Sequence, residues 1–166
     1  LLFGELVEVL ETKGRLWAKI RCLQDNLVGW TETNQITAIT PKEHKVFQTN
    51  QSFRLELVHA AMADHYFVPI TLGARLPNYD GMHFKLGAMR FTFSGQVINQ
   101  SHVKKSAPFL VKIAKRYLNA PFQWGGRSPF GIDAAGLVQV LYSMVGTQLP
   151  RYAAEQVKFG KMVDFV

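Results

Sequence analysis

The stretch Trp124-Gly125-Gly126-Arg127-Ser128-Pro129-Phe130-Gly131-Ile132-Asp133-Ala134-Ala135-Gly136 decides the fold of this 166-residue chain. Its glycines and its Ser-Pro pair predict an irregular loop, and Asp133 stands where a helix should begin. Apolar residues then recur at helical spacing and predict a buried amphipathic helix: Leu137, Val140, Leu141, Met144 and Val145. Such a turn delivers one side chain to a helix N-terminus, where backbone N–H groups and the macrodipole favour negative charge. A cysteine delivered there would be a reactive thiolate, but this chain has Ala134.

Helical signals continue on both sides of this loop. At Ser101 the hydrophobic period changes from two to 3.6, and residues 106–118 predict a helix that Ser106 can cap. Gly146 is expected to end the helix after the loop. Residues 149–157 indicate an extended piece that enters a short third helix, which ends near Gly160.

Residues 1–40 show short strands separated by tight turns. The turns are expected at Lys13-Gly14 and Asp25-Asn26, and Gly29-Trp30 opens the last strand. This pattern predicts a small SH3-like barrel, with a generic β-meander as the alternative. Pro41 and the polar residues through Gln51 indicate a linker.

A second β-rich block follows the predicted linker. Strands are expected at residues 53–58, 66–70 and 89–93, the last with a clean period of two. A turn is expected at Asn78-Tyr79-Asp80-Gly81. We interpret this block as a second, more divergent SH3-like barrel.

Composition and charge limit the classes of function. A hydrophobic fraction of 48% indicates a folded chain, and no apolar run approaches the roughly 20 residues that span a membrane. The net charge of +7 suits nucleic acid, anionic lipid or an anionic wall polymer, but no nucleic-acid motif is present. We interpret one basic cluster as a solvated helix face: Lys104, Lys105, Lys112, Lys115 and Arg116.

The cysteine and histidine content indicates no metal site. The single cysteine, Cys22, excludes internal disulfides and lies in an apolar strand, so we expect an inert core thiol. His59, His65 and His83 have no metal-ligand spacing with acidic or sulfur partners and are interpreted as structural or surface residues. We therefore expect neither a metal nor a cofactor.

Residues 102–166 resemble the first half of an NlpC/P60 cysteine peptidase domain, which has a papain-like fold. The resemblance is carried by "APFQWGGRSPFGID..GLVQVLYSMVG", followed by "LPR…EQ". At the other end, "LLFGELVEVLE…W.KIR…DN..GWT" resembles the bacterial SH3 domains of cell-wall enzymes. The expected fold class is α+β, with two small SH3-like barrels before the helical first half of the papain-like domain. The expected domains are residues 1–40 (an N-terminally incomplete barrel), 41–101 and 102–166.

The resemblance implies a peptidase site whose chemical groups are missing. In the family the loop ends in Asp-Cys-Ser-Gly, where the cysteine is the nucleophile and its backbone N–H helps to form the oxyanion hole. Here Ala134 occupies the cysteine position and Ala135 the serine position. The family's base is a histidine from a later strand, and no histidine follows His102 in this chain. The resemblance therefore implies a nucleophile position that has been replaced, with its base absent or supplied elsewhere.

The resemblance also implies substrate-contacting positions. Tyr152 and Ala153 replace an Asp and a Ser of the family's Pro-Arg-Asp-Ser, and Leu27 or Val28 replaces a tyrosine that helps to select a free N-terminal L-Ala. Glu5 matches an acidic residue that can meet the substrate amine. The complete set of expected substrate-binding positions is Trp124, Asp133, Ala135, Glu5, Leu27, Arg151, Tyr152 and Ala153.

Three of these residues have a purely structural alternative. Trp124, expected to be an aromatic wall beside the nucleophile, could instead pack under the helix. Glu5 could be a solvated charge on a barrel loop. Asp133 could serve only as an N-cap, which is worth roughly 1 kcal/mol.

Three functional hypotheses follow. The scattered loss of chemical groups favours an inactive relative of a peptidoglycan stem-peptide endopeptidase that binds cell-wall peptides or a protein partner. The alternative is an active γ-D-glutamyl-L-diamino acid cysteine endopeptidase represented by an inactivated, truncated chain, and the second alternative is a structural SH3-like adaptor. The expected partners are stem peptides or muropeptides, and either a second chain or a continuation that covers Leu137, Val140 and Leu141. We expect no nucleic acid, no transmembrane segment, and a location in the cell envelope or periplasm rather than the cytoplasm.

Overall fold

The computed structural model describes residues 1–49 and 51–163 of the chain. Helices and strands are both present in this part, and the strands form four sheets. The mixed α and β character that the sequence predicts is confirmed. The pairing between the described strands does not close any of the four sheets into a barrel.

The first sheet is a three-stranded antiparallel meander of β1 (Val7–Lys13), β2 (Trp17–Cys22) and β3 (Val28–Glu32). The two predicted turns are confirmed, because Gly14 and Asn26 lie between these strands with φ values of 62° and 60°. One face of the sheet buries Ala18, Ile20 and Cys22. The other face is exposed and carries two tryptophans, Trp17 and Trp30.

The segment predicted as a linker contains helix α1 (Pro41–Thr49), so that prediction is wrong. The helix starts with a capping box, in which Thr40 N–H donates to the Glu43 carboxylate at 2.7 Å and Glu43 N–H donates to Thr40 Oγ1 at 3.3 Å. Pro41 suits the first helical position because its missing N–H would have had no intrahelical partner. These local signals outweigh the polar composition on which the linker prediction rested.

The second β-rich block contains two sheets. Strands β4 (Gln51–Arg54), β7 (Arg75–Pro77) and β10 (Val97–Asn99) form one sheet in the order β10-β4-β7. The other has the order β6-β5-β9-β8 and contains β5 (Val58–Ala63), β6 (Tyr66–Thr71), β8 (His83–Leu86) and β9 (Met89–Thr92). Its core is aromatic, with Phe84 stacked on Phe91 at a centroid distance of 4.9 Å.

The single strand predicted over residues 53–58 is wrong, because the chain passes there from one sheet to the other. Leu55 N–H donates to the Gln96 carbonyl, and the Leu57 carbonyl accepts from Leu72 N–H. Arg54 is fully buried, and its guanidinium donates to the Glu56 carbonyl. These contacts hold the crossing in an irregular conformation between β4 and β5.

The C-terminal segment is largely helical. Its elements are α2 (Ala107–Ala114), β11 (Arg127–Ser128), β12 (Gly131–Ile132), α3 (Ala134–Met144) and α4 (Ala153–Gln156). The first helix of this segment is shorter than the predicted residues 106–118, since α2 ends at Ala114 and the chain continues only as a 3-10 turn, Lys115–Tyr117. Ser106 occupies the predicted N-cap position, although its side chain makes no capping hydrogen bond. The predicted end of the helix that follows the loop is confirmed by Gly146, whose φ is 78°.

The apolar face of α3 packs on the β-rich blocks of the same chain. Val140, Leu141 and Met144 share a buried cluster with residues from both blocks, among them Leu2 and Leu72. Gly73 permits a close approach, because a Cβ atom there would lie 2.7 Å from Val140 Cγ1. The expectation that a second chain or a continuation covers Leu137, Val140 and Leu141 is therefore wrong: the chain itself buries Val140 and Leu141, in a cluster that the β-rich blocks share with Ile113 and Tyr117, and Leu137 packs against the same cluster.

The predicted basic face of α2 is only partly solvated. Lys104, Lys105, Lys112 and Lys115 are exposed. Arg116 is half-buried and donates to the Leu55 carbonyl at 2.7 Å, so it ties the helix to the second block. Within the described residues, no helix has the length and apolar character needed to cross a membrane.

Candidate functional site

The loop before α3 delivers Ala134 to the helix N-terminus, as the sequence predicts. Asp133 caps the helix by accepting the Gly136 N–H at 2.6 Å on Oδ1, and Ala134 is exposed as the first helical residue. The glycines are sterically required, because a Cβ on Gly126 would lie 2.3 Å from the Gly131 carbonyl oxygen and a Cβ on Gly136 equally close to the Gly126 oxygen. The exposed group at this N-terminus is a methyl group, which cannot act as a nucleophile.

Asp133 is the point where three segments meet. Its Oδ2 accepts the Gly125 N–H at 2.8 Å and the Arg151 Nη2 at 2.6 Å. The hydrogen bond from Arg151 is the main reason why the pKa of Asp133 falls to about 2, and the Gly136 and Gly125 N–H groups act in the same direction. Arg151 is buried, so its guanidinium holds this carboxylate in addition to its expected role in substrate binding.

Glu5 forms a buried ion pair with Arg127 of the loop. The two residues make contacts of 2.8 Å (Oε1 to Nη2) and 3.0 Å (Oε2 to Nη1). The carboxylate also accepts from Leu2 N–H and from Gln24 Nε2, each at 2.8 Å. Burial is the largest single effect and would raise the pKa of Glu5, but the charge and hydrogen bonds of Arg127, the Leu2 N–H and the charge of Arg75 together outweigh it, so the pKa is lowered. The interpretation of Glu5 as a solvated charge is wrong, because its side chain is only 4% exposed.

A cleft of about 210 Å³ lies between the first sheet and the loop. Strand and turn residues form one wall, and Gly125, Arg127 and Arg151 form the other. The lining residues of the first wall are Leu1, Ile20, Cys22, Asp25, Leu27, Gly29, Trp30 and Thr31. Two of the expected substrate-binding residues, Leu27 and Arg151, therefore meet in this cleft.

The other expected residues lie outside the cleft lining. Trp124 is 81% exposed, so the alternative that it packs under the helix is wrong. Tyr152 and Ala153 are exposed. Ala135 is half-buried, and its carbonyl accepts from Gln156 Nε2 at 2.9 Å. Glu5 faces a different, largely apolar cleft. Asp133 is also absent from the lining, and substrate contact by these six residues stays a prediction.

The sequence analysis missed several residues of the cleft and its support. Asp25, Trp30 and Arg127 line the cleft, while Gln139 on α3 donates to Asp25 Oδ2 at 2.8 Å and to the Leu149 carbonyl at 3.0 Å. Asp25 and Gln139 are 114 positions apart, so no local pattern could reveal their contact. The signal in the sequence was Gln139 itself, a polar residue on an otherwise apolar face of α3.

The Cys22 thiol, which lines the cleft, is not an alternative nucleophile. Burial raises the pKa of the Cys22 thiol, and the charges of Asp25 and Glu5 add to the effect, so Cys22 stays a thiol. In the described part of the chain, no three His, Cys, Asp or Glu side chains are grouped so that they could hold a metal ion.

Comparison with known proteins agrees with this geometry. Residues 119–165, which contain the loop and α3, match the model of the NlpC/P60 family. This segment of the chain is similar to the NlpC/P60 family. Residues 1–36 match the model of the bacterial dipeptidyl-peptidase SH3 domain. The resemblance that the sequence motifs indicated is thereby confirmed.

Two relatives of this chain are named γ-D-glutamyl-L-lysine dipeptidyl-peptidase. The one from Bacillus subtilis is 31% identical over 98% of this chain, and the one from Bacillus cereus is 26% identical over 81%. This chain spans 58% and 37% of their respective lengths. A bifunctional muramidase/DL-endopeptidase from Bacillus subtilis is 40% identical over 41% of this chain and matches over 22% of its own length.

Solved structures of NlpC/P60 proteins share the fold. An NlpC/P60 family protein from Bacillus cereus matches 99% of this chain and 60% of its own, with a TM-score of 0.82 and 22% identity. An NlpC/P60 endopeptidase from Photobacterium damselae subsp. piscicida matches 90% of this chain and 35% of its own, with a TM-score of 0.71 and 18% identity. The fold of the chain is thus that of NlpC/P60 proteins.

Proposed function

We propose that this chain binds peptidoglycan stem peptides in the cleft between the first sheet and the loop, and that it does not itself cleave them. The observation that carries the proposal is the juxtaposition of the cleft, lined by Trp30, Gly125 and Arg151, with a helix N-terminus that presents Ala134. The ligand class is supported by the names of two relatives, which are γ-D-glutamyl-L-lysine peptidases. Such a role belongs to the cell envelope or the extracellular space.

The proposed module organisation follows from the same comparisons. We assign residues 1–40 to an SH3-like module, 41–101 to a second one and 102–166 to the helical half of a papain-like domain. The matches of residues 1–36 and 119–165 to two separate family models support the first and third assignments. In this organisation the cleft lies between the first module and the papain-like segment.

The absence of cleavage follows from the side chains at the helix N-terminus. Hydrolysis through a covalent intermediate requires a nucleophile and a base within hydrogen-bond reach. Ala134 supplies neither, and the nearby Asp133 carboxylate already accepts from Gly125, Gly136 and Arg151. The chain's cysteine, Cys22, is buried on the first sheet and stays protonated. A peptide in the cleft would therefore be held without being cut.

Calorimetric titration with a stem tetrapeptide, L-Ala-γ-D-Glu-L-Lys-D-Ala, tests the proposal. We expect micromolar affinity, lost in Gly29→Leu, because Gly29 lines the cleft and an added Cβ there meets no atom within 4 Å, so the new side chain would occupy the cleft. Val28→Leu is the matched control, since Val28 is exposed on the same strand but lies outside the cleft lining. Absence of binding, or an equal loss in both variants, would contradict the proposal and leave the SH3-like adaptor as the better hypothesis.

The alternative of an active γ-D-glutamyl-L-diamino acid endopeptidase is favoured by one observation. Asp133, Gly126 and Gly136 keep the loop and the helix start in a geometry that would accept a cysteine at position 134. The test is the double variant Ala134→Cys/Ala135→Ser in the full-length protein. Release of L-Ala-γ-D-Glu from the tetrapeptide would support the alternative, whereas binding without cleavage would support the proposed binding role.

A further inference from the structure

The positive charge of the chain is concentrated in one stretch of its sequence. Residues 81–132 contain eight Lys and Arg residues and no Asp or Glu, whereas the rest of the chain contains the other eleven basic residues and all twelve acidic ones. The net charge of +7 therefore originates in this stretch. Half of its cations lie before, on or directly after α2: Lys104, Lys105, Lys112 and Lys115.

These four lysines are exposed, and their charges are not compensated by the protein. None of them takes part in an ion pair within the described part of the chain. The exposed cations of the first sheet differ in this respect, since Arg21 contacts the Glu8 carboxylate at 3.0 Å. A cluster of uncompensated cations attracts an anionic partner, and its mutual repulsion is relieved when that partner binds.

Large apolar side chains are exposed beside these lysines. The inner face of α2 and its 3-10 extension is buried through Ile113 and Tyr117. On the opposite face, Val111 is 52% exposed and Leu118 is 69% exposed. Val111, Lys115 and Leu118 follow one another at intervals of four and three residues, so they lie along one outward stripe. The stripe therefore combines a cation with two apolar groups.

This combination of groups fits the interface of an anionic lipid bilayer. Lysine side chains reach the phosphate groups of the lipids, while apolar side chains beside them enter the boundary between headgroups and acyl chains. The negative surface potential of such a bilayer attracts basic residues that come within a Debye length of it. A soluble polyanion would use the lysines but leave the apolar side chains in water, so a bilayer accounts for both features.

We propose that the outer face of α2 is a peripheral binding surface for anionic lipid headgroups. Its members are Lys104, Lys105, Val111, Lys112, Lys115 and Leu118. None of these residues lines the cleft between the first sheet and the loop. Docking at a membrane surface and binding of a peptide in the cleft can therefore be measured independently of each other.

Co-sedimentation with lipid vesicles tests the electrostatic part of the inference. In about 0.1 M salt, vesicles of phosphatidylglycerol and phosphatidylcholine should bind the protein about a hundredfold more tightly than vesicles of phosphatidylcholine alone. Lys112→Gln/Lys115→Gln should weaken binding about 25-fold, since each lysine near an anionic surface contributes about fivefold in affinity. Lys42→Gln/Lys45→Gln is the matched control, because both lysines are exposed on α1 at the same spacing of three residues. Equal binding to the two kinds of vesicle, or an equal loss in both double variants, would overturn the inference.

A second experiment distinguishes a bilayer from a soluble polyanion. Leu118→Ser should weaken vesicle binding about tenfold, because the leucine side chain leaves water when the surface docks. Leu16→Ser is the matched control, since Leu16 is 71% exposed but lies in the turn between β1 and β2. Unchanged vesicle binding in Leu118→Ser, or tighter binding to soluble poly(glycerol phosphate) than to vesicles when compared per phosphate, would overturn the inference. Neither experiment uses a stem peptide, so both outcomes are independent of the proposed function.

Discussion

The Arg127 guanidinium binds the Glu5 carboxylate through two contacts, of 2.8 Å and 3.0 Å, and the two residues are 122 positions apart in the chain. Both side chains are nearly buried. The pair therefore connects the loop before α3 to the segment that precedes the first sheet, and so fixes one wall of the cleft relative to the other.

Glu5→Gln should destabilise the protein by about 3 kcal/mol, because removal of one partner leaves the other charge buried and unpaired. The free energy of unfolding in urea measures the effect. Glu8→Gln is the matched control, since the Glu8–Arg21 pair has a similar 3.0 Å contact but is exposed, and its loss should cost about 0.5 kcal/mol or less. Equal costs for the two variants would contradict the structural role of the buried pair.

Acid should lower the free energy of unfolding, because it protonates the Asp133 carboxylate. Its pKa in the folded state, about 2, lies below the ordinary value of 3.8. The stability that the ionised carboxylate contributes is therefore fully present above about pH 4 and is lost as the pH falls towards 2. Asp133→Asn should be less stable than the unmodified protein near neutral pH, and the difference should shrink in acid. Denaturant titrations at several pH values measure this, and a pH-independent difference would contradict the prediction.

Gly73→Ala should destabilise the protein by about 2 kcal/mol or more, because the new Cβ would strain the backbone and clash with Val140. The backbone at Gly73 has a φ of 84°, and the Cβ would lie 2.7 Å from Val140 Cγ1. Gly14→Ala provides the control: its φ is also positive, at 62°, but no atom lies within 4 Å of the added Cβ, so about 1 kcal/mol is expected. Thermal unfolding measures the destabilisation caused by each variant. Equal destabilisation by Gly73→Ala and Gly14→Ala would contradict the close approach of α3 to Gly73.

Ala134→Cys should create a reactive thiol, because the N-terminus of α3 favours the thiolate. Alkylation by iodoacetamide at about pH 7 should be several-fold faster than in Ala88→Cys, whose thiol would lie in an exposed turn between β8 and β9. Mass spectrometry measures both rates and should find Cys22 unmodified in each variant, since Cys22 is buried. Equal rates at positions 134 and 88 would contradict an activating helix N-terminus.

Local signals in the sequence predicted the parts of the fold that depend on local chemistry. The loop, the Asp133 cap, the end of α3 at Gly146 and the turns at Gly14 and Asn26 each follow from a few neighbouring residues. The same kind of signal was available for α1, where Thr40 and Glu43 form a capping box, but the polar composition was weighted more heavily.

Long-range contacts could not be predicted in the same way. The contacts of Arg127 with Glu5 and of Gln139 with Asp25 join residues more than a hundred positions apart, and no spacing rule connects them. Glu5 consequently appeared as either a surface charge or a ligand contact, although the fold uses it as an internal anchor for the loop. The covering of α3 by the β-rich blocks was missed for the same reason.

The packing of Val140 beneath Gly73 limits which fragments of the protein can be exchanged with fragments of other proteins. A chimera that contains only residues 102–163 of this protein would lack Leu2, Phe53 and Leu72, which complete the core around α3. The point at which the sequence changes character, near Ser101, is therefore a poor junction for chimeras. Exchangeable units should instead keep both β-rich blocks together with the helical segment.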